Sequence, residues 1–220
     1  MCDLHDHHGL PPLEADEYVL DTPFVHELVA AVREQIDRSA TAADACERIR
    51  PVFEQALTHR DWLPGEFKRD VPDSGMGGGI GQWLLFRSAD RSLCLFSLVV
   101  PPGSMTPIHD HLAWGLIGVY RGVQDETVYR RTDDGLDESK ANLEIARQQT
   151  VKPGEFYTLL PPLDDIHYVK TVSDAPSVSI HLLANDTACV TRHRFDAASG
   201  IVTPFRSGYS NAKCADAEAR

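Results

Sequence analysis

The residues best placed to do chemistry are two histidines two positions apart, His109 and His111, inside Gly103-Ser-Met-Thr-Pro-Ile-His109-Asp-His111-Leu-Ala-Trp-Gly115. In an extended strand, residues i and i+2 point to the same face. Read as a strand, the segment projects two imidazoles side by side into whatever that face encloses. Neutral imidazole suits first-row transition metals, so the pair is half of a metal site. The bland alternative is two histidines on a solvated strand face.

Positioning them requires a sheet, and the chain supplies one. From about residue 78 the hydrophobic pattern has period two in short runs: QWLLFR, SLCLFSLVV, WGLIGVYRG, DETVYRR, LEIARQQTV, EFYTLL, HYVKTV, SVSIHLLA and CVTRHRFD. These nine segments are separated by turn signals such as SADRS, PPGS, VKPGE and SDAPS. They predict an all-β sandwich or barrel rather than a parallel α/β fold. Ahead of them, residues 22–60 predict a helical hairpin packed on the barrel as a lid or buttress. Thr22 and Pro23 supply an N-cap and a first helical position, and Phe24, Leu28, Val29, Val32 and Ile36 follow at helical spacing. Thr41 caps a second helix with Ala45, Ile49, Val52, Phe53 and Leu57 on one face, which Pro51 is expected to kink or split. Residues 1–21, including His5, His7 and His8, read as a poorly ordered leader, 61–206 as the barrel and 207–220 as a flexible tail.

With 220 residues the chain is long enough for one well-buried core. Its formal charge of −12 argues against a nucleic-acid partner and means that an anionic ligand must be captured by local cations. No apolar run approaches the ~20 residues of a membrane helix, and the polar, acidic start does not read as a signal peptide. No membrane association and a cytoplasmic location are therefore expected. The five cysteines, Cys2, Cys46, Cys94, Cys189 and Cys214, lack CxxC spacing and read as reduced thiols.

Gly103, His109, His111 and Gly122 fall where the first motif of the cupin family wants them. Pro153-Gly154 followed by His167 resembles the second, which contributes the last metal ligand. The resemblance implies a cupin double-stranded β-helix, a jelly-roll barrel, over most of residues 80–196. One departure stands out: the motif's glutamate position is occupied by Gly115. Three neutral imidazoles leave a divalent ion its full charge and about three open octahedral positions. Such a site suits an ion that takes substrate and dioxygen together. Fe(II) is favoured on that ground, although affinity alone would favour copper or zinc.

Within the cupins the chain resembles the thiol dioxygenases, the branch with cysteine dioxygenase and 3-mercaptopropionate dioxygenase. The residues that carry this are TPIHDH with Trp114-Gly115, then Asp165-Ile166-His167, then Ser179-Ile180-His181. The resemblance implies mononuclear non-haem Fe(II) on His109, His111 and His167, with O2 as co-substrate, and oxidation of a thiol to a sulfinate. It implies that Arg192 receives a substrate carboxylate, in the manner of the mercaptopropionate-type members, and that Gln82 stands where cysteine-specific members carry an arginine. Ser179 and His181 match the first two members of a Ser-His-Tyr relay. The third position is Leu183, so another hydroxyl, from Tyr129, Tyr157 or Tyr168, would have to serve, or the pocket is more apolar. The Cys-Tyr crosslink of the family has no counterpart.

The expectation is an Fe(II)-dependent oxidoreductase acting on a small anionic thiol such as 3-mercaptopropionate, with a homodimer suggested by fold analogy. The rivals are another metal-dependent cupin reaction, such as a non-thiol dioxygenase or an isomerase, and a non-catalytic cupin sensor of small molecules.

Overall fold

The structure, a computed structural model, describes residues 10–71 and 75–214. The leader histidines His5, His7 and His8 and Cys2 lie outside the described residues. Two helices come first, α1 (Pro23–Asp37) and α2 (Ala42–Thr58). Thr22 and Thr41 cap them as expected, accepting from the N–H of Val25 and of Asp44. Pro51 sits inside α2 without splitting it.

The twelve strands among the described residues form two six-stranded antiparallel sheets. The first contains β1 (Glu17–Tyr18), β2 (Gly81–Arg87), β3 (Cys94–Val100), β10 (Ser177–Leu183), β5 (Gly115–Arg121) and β8 (Phe156–Leu159), in that order. The second runs β12 (Val202–Phe205), β11 (Arg192–Phe195), β4 (Ile108–His109), β9 (Ile166–Thr171), β6 (Gln124–Arg131) and β7 (Leu143–Val151). All nine expected segments are strands; β1, the short β4 and β12 are additions.

The alternation along each strand divides the first sheet between two cores. Leu85, Leu95, Val99, Leu116, Val178, Ile180 and Leu182 face outward and are buried under the helices with Val25, Val29, Ile49 and Phe53. Gly118 lets α2 come this close, since a Cβ there would collide with Leu57 Cδ1 and lie 3.0 Å from the Phe53 ring. The hairpin is thus a buttress on the sheet's back. The opposite residues, Phe96, Leu98, Ile117, Val119, Tyr157, Leu159 and Leu183, form the barrel interior with Val169 and Phe205. Burying each such large side chain stabilises the fold by ~1.5–3 kcal/mol.

Both chain ends depart from expectation. Residues 10–21 are not a loose leader: β1 pairs with β2, Leu20 is buried, and Asp16 accepts two hydrogen bonds from Arg33 at 2.6 and 2.9 Å. The described part of the tail, residues 207–214, is bound as well. Asn211 donates to the Leu84 carbonyl and accepts from the Leu84 N–H, Ser210 does the same for the Gln82 backbone, and Cys214 forms a disulfide with Cys189. The expectation of five reduced thiols fails for this pair. The cause is tertiary: residues 25 apart in sequence are brought together by the fold, and no local spacing announces it. Cys46 and Cys94 are free and buried, which pushes both thiols up to about 12 and makes them poor nucleophiles. Among the described residues no helix is long and apolar enough to cross a membrane.

Candidate metal centre

Antiparallel pairing of β4 with β9 puts His109 directly opposite His167. The two rings lie 5.1 Å apart, centroid to centroid. His111 is not on that strand, contrary to the period-two reading. The strand ends at His109, and the chain turns through Leu112, whose φ of 53° is in the left-handed region. The Asp165 carboxylate holds this turn, accepting the N–H of His111 at 2.9 Å and of Leu112 at 3.1 Å. The turn still brings the His111 ring within 4.8 Å of His109 and 4.9 Å of His167.

The three histidines are buried, and one ligand nitrogen from each lies within 4.8 Å of the others. Their outer nitrogens show which atoms remain for a metal. His109 Nδ1 is 2.9 Å from the Pro107 carbonyl, which can only accept, so Nδ1 carries the proton and Nε2 is the free lone pair. His167 Nδ1 is 2.9 Å from Glu126 Oε1, with the same consequence. His111 Nδ1 is buried without a hydrogen-bond partner, 3.7 Å from Asp165. Burial holds His109 and His111 well below the ordinary imidazole range, and neighbouring histidines and Arg192 add to it. Convergent, buried imidazoles, one with an unsatisfied nitrogen, are the donor set that a divalent transition metal fits.

Gly115 has a steric reason to replace the motif's glutamate. A Cβ there would collide with the Leu182 carbonyl oxygen on β10 and lie 2.8 Å from Leu183 Cδ2. No side chain fits between the two strands.

The remaining site residues predicted from sequence surround this cluster. Register places His181, Ile117 and Tyr157 in one row across the first sheet, and Ser179 is in line with Gln82 through Leu98. Ser179 Oγ is 3.0 Å from His181 Nε2; the imidazole stacks on Phe96 and sits 6.4 Å from the His111 ring. His181 Nδ1 and Gln82 Nε2 are buried without hydrogen-bond partners among the described residues, and the buried Tyr157 hydroxyl faces the Glu126 carboxylate. Leu183 is completely buried, so no polar group is offered from that position. Of the three alternative tyrosines only Tyr157 faces the interior, its ring 6.1 Å from His167; Tyr129 and Tyr168 pack against each other on the other face of the sheet. Burial and the Glu126 carboxylate raise the Tyr157 phenol well above its ordinary value, so it stays protonated.

Arg192 is buried rather than being a surface ion-pair partner. Its Nε donates to Thr187 O at 2.9 Å, Nη1 to Asp110 O at 2.6 Å and Nη2 to Ser207 Oγ at 2.8 Å, and it lies over the Phe205 ring. Among the described residues no carboxylate is within ion-pair distance of it. Burial lowers its pKa to about 10, which leaves it charged at neutral pH. Three donors are engaged by neutral acceptors, and two of the five N–H groups of a guanidinium have no acceptor among the described residues.

No family model matches the chain. Solved structures similar to it include the cupin-2 domain of an XRE family transcriptional regulator from Enterobacter cloacae, at 18% identity over 47% of this chain and 94% of that one, TM-score 0.33. A recombinant oxalate oxidase in complex with glycolate is similar at 14% identity over 60% of this chain and 63% of that one, TM-score 0.41. A cupin-2 domain from Rhodospirillum rubrum is similar at 16% identity over 49% and 60%, TM-score 0.37. At such identities and scores none of them bears on activity. What decides the fold is the pair of facing antiparallel sheets with the histidines inside.

The fold is the antiparallel β-barrel that the cupin resemblance implies.

Sequence reasoning quoted Asp165 as part of a motif without giving it a role, and missed three further residues around the histidine cluster, Glu126, Ser207 and Tyr209. Asp165 and Glu126 act on metal-ligand candidates. Ser207 and Tyr209, in the supposedly flexible tail, brace the site: Ser207 holds Arg192, and Tyr209 donates to Asp186 at 2.8 Å and packs on Phe96. Only Glu126 left a usable signal. In DETVYRR it shares alternation with Val128, which pairs with His167, so it stands on the inward face of the strand.

Proposed function

We propose that this chain is a non-haem Fe(II) thiol dioxygenase that oxidises a small carboxylated thiol, of the 3-mercaptopropionate type, to its sulfinate with O2. The observation that carries the reading is Arg192: a buried cation beside three convergent imidazoles, with no carboxylate within ion-pair distance among the described residues, although Asp110 and Asp165 lie near enough to favour its charge. A guanidinium in that state is built for a carboxylate, which it can take in a bidentate pair. His109, His111 and His167 would hold the iron, which would supply a Lewis acid for the thiol sulfur and redox chemistry for dioxygen. The overall change, RSH + O2 → RSO2H, balances without an external reductant.

The chain's own groups divide the remaining work. Arg192 orients the substrate by its far end, and the Gln82 amide adds a donor on the same interior face. His181, steadied by Ser179 and stacked on Phe96, keeps its free Nδ1 for the reacting end. The barrel's apolar lining excludes bulk water and strengthens each of these interactions.

Leu183 favours a second reading, because the phenol expected at that place from the resemblance is absent. On that reading the chain is another metal-dependent cupin enzyme, such as a non-thiol dioxygenase or an isomerase, or a sensor without turnover. Oxygen uptake by protein reconstituted anaerobically with Fe(II) separates them. The expected result is rapid uptake with 3-mercaptopropionate, cysteine or mercaptosuccinate, matched by sulfinate in the mass spectrum. Bound iron with no uptake for any thiol would sink the thiol dioxygenase reading.

A further inference from the structure

Three neutral imidazoles would leave a divalent ion uncompensated, and Gly115 closes the place where a ligating carboxylate would enter. A carboxylate nevertheless reaches the site from behind. Glu126, on β6, has a side chain with no exposure to solvent, and its Oε1 lies 2.9 Å from His167 Nδ1. Its Oε2 accepts from Gln149 Nε2, and the nearest cation, Arg147, is 3.7 Å away, 41% exposed and shared with Asp164. The imidazole N–H at 2.9 Å and the neutral Gln149 amide at 2.5 Å are therefore hydrogen-bond donors this buried carboxylate meets, and the imidazole is the one on the metal side. The other two histidines lack the arrangement: His109 meets a neutral carbonyl, and His111 Nδ1 has no hydrogen-bond partner.

A carboxylate behind a ligating imidazole does two things. It fixes the tautomer, so that Nε2 presents its lone pair to the metal, and it makes the ring a stronger donor by sharing negative charge with it. We infer that Glu126 is the positioning and charge-compensating residue of the metal centre, acting on the ion through His167 rather than by ligation. The centre then behaves as three imidazoles plus one negative charge, with His167 as its strongest donor. The inference rests on the metal-centre part of the proposed function and not on thiol oxidation.

Two measurements on the full chain test it. The first needs no substitution: 15N NMR of the metal-free protein should show His167 as the Nδ1–H tautomer, and an Nε2–H tautomer would overturn the inference. The second is anaerobic competition with a chromophoric chelator for Fe(II), and separately for Zn(II). Glu126→Gln keeps the shape and loses the charge, and should weaken both metals by about 10–100-fold. Glu126→Asp, which retains the charge, should recover part of that loss. Affinity of Glu126→Gln within twofold of wild type would remove Glu126 from the role while leaving the three-histidine site intact. Failure of the wild-type chain to bind either metal would overturn this inference together with the metal centre. Thiol-dependent oxygen uptake is not read in either measurement, so its absence would count only against the thiol dioxygenase reading.

Discussion

The Asp165 carboxylate spans the N–H groups of His111 and Leu112, and this one clamp converts the end of a strand into the turn that aims His111 at its partners. The clamp is buried, and burial, with the nearby Asp110 charge, pushes its carboxyl up to about 7 against the pull of the two N–H bonds. Asp165→Ala should leave two N–H groups unpaired and free Leu112 from its left-handed conformation, destabilising the fold by ~2–4 kcal/mol in urea unfolding. Metal affinity should fall with it, because His111 loses its aim. Unchanged affinity in a folded Asp165→Ala protein would show that the turn holds itself.

Arg192 is braced by three neutral acceptors and has no carboxylate within ion-pair distance among the described residues; Asp110 and Asp165 favour its charge from farther off, and a substrate carboxylate would be its first direct anionic partner. Replacing it with alanine should raise KM for carboxylated thiols by at least about 30-fold, the ~2 kcal/mol lower end for losing one partner of a buried charge pair. An uncharged thiol such as 2-mercaptoethanol should be affected much less. Arg192→Lys should recover little, because an ammonium cannot reproduce the fork. Equal losses for charged and uncharged thiols would remove Arg192 from substrate binding.

Gly115 is required by backbone proximity rather than by chain flexibility. Even Gly115→Ala pushes a methyl group against the Leu182 carbonyl oxygen, and neither strand can retreat without breaking the β5–β10 ladder. The expected cost is ~1–3 kcal/mol, the usual range for overpacking, read as a lowered urea midpoint. Gly115→Glu should not restore a fourth ligand but should fail to fold. A stable Gly115→Glu protein with tighter metal binding would show that the strands can part.

The Cys189–Cys214 disulfide ties down the segment that carries Ser207 and Tyr209. Closing a loop of 25 residues restricts the unfolded chain by ~3.5 kcal/mol in the entropic model. Cys214→Ser, or reduction of the wild-type protein, should lower the Tm accordingly and make the tail susceptible to limited proteolysis. KM for the thiol substrate should rise as Arg192 loses the Ser207 brace. Identical melting and proteolysis in oxidised and reduced protein would separate the tail's packing from the disulfide.

Much of this molecule is written in short-range pattern. The caps at Thr22 and Thr41, the alternation in segments such as SLCLFSLVV, and the pairing of His109 with His111 and His167 are legible because each depends on residues close in sequence or on a spaced motif. Other features depend on which strands become neighbours. The pairing of β4 with β9 sets His109 against His167, and that of β6 with β9 delivers Glu126 to the back of the same imidazole. The approach of β10 to β5 excludes a side chain at residue 115, and the return of the tail across β2 joins Cys214 to Cys189 and Ser207 to Arg192. Periodicity tells a strand which of its faces is apolar, but says nothing about what stands across from it. Only the folded barrel, by closing distances between residues far apart in the chain, decides which buried polar atoms find partners within the protein and which are left for a ligand.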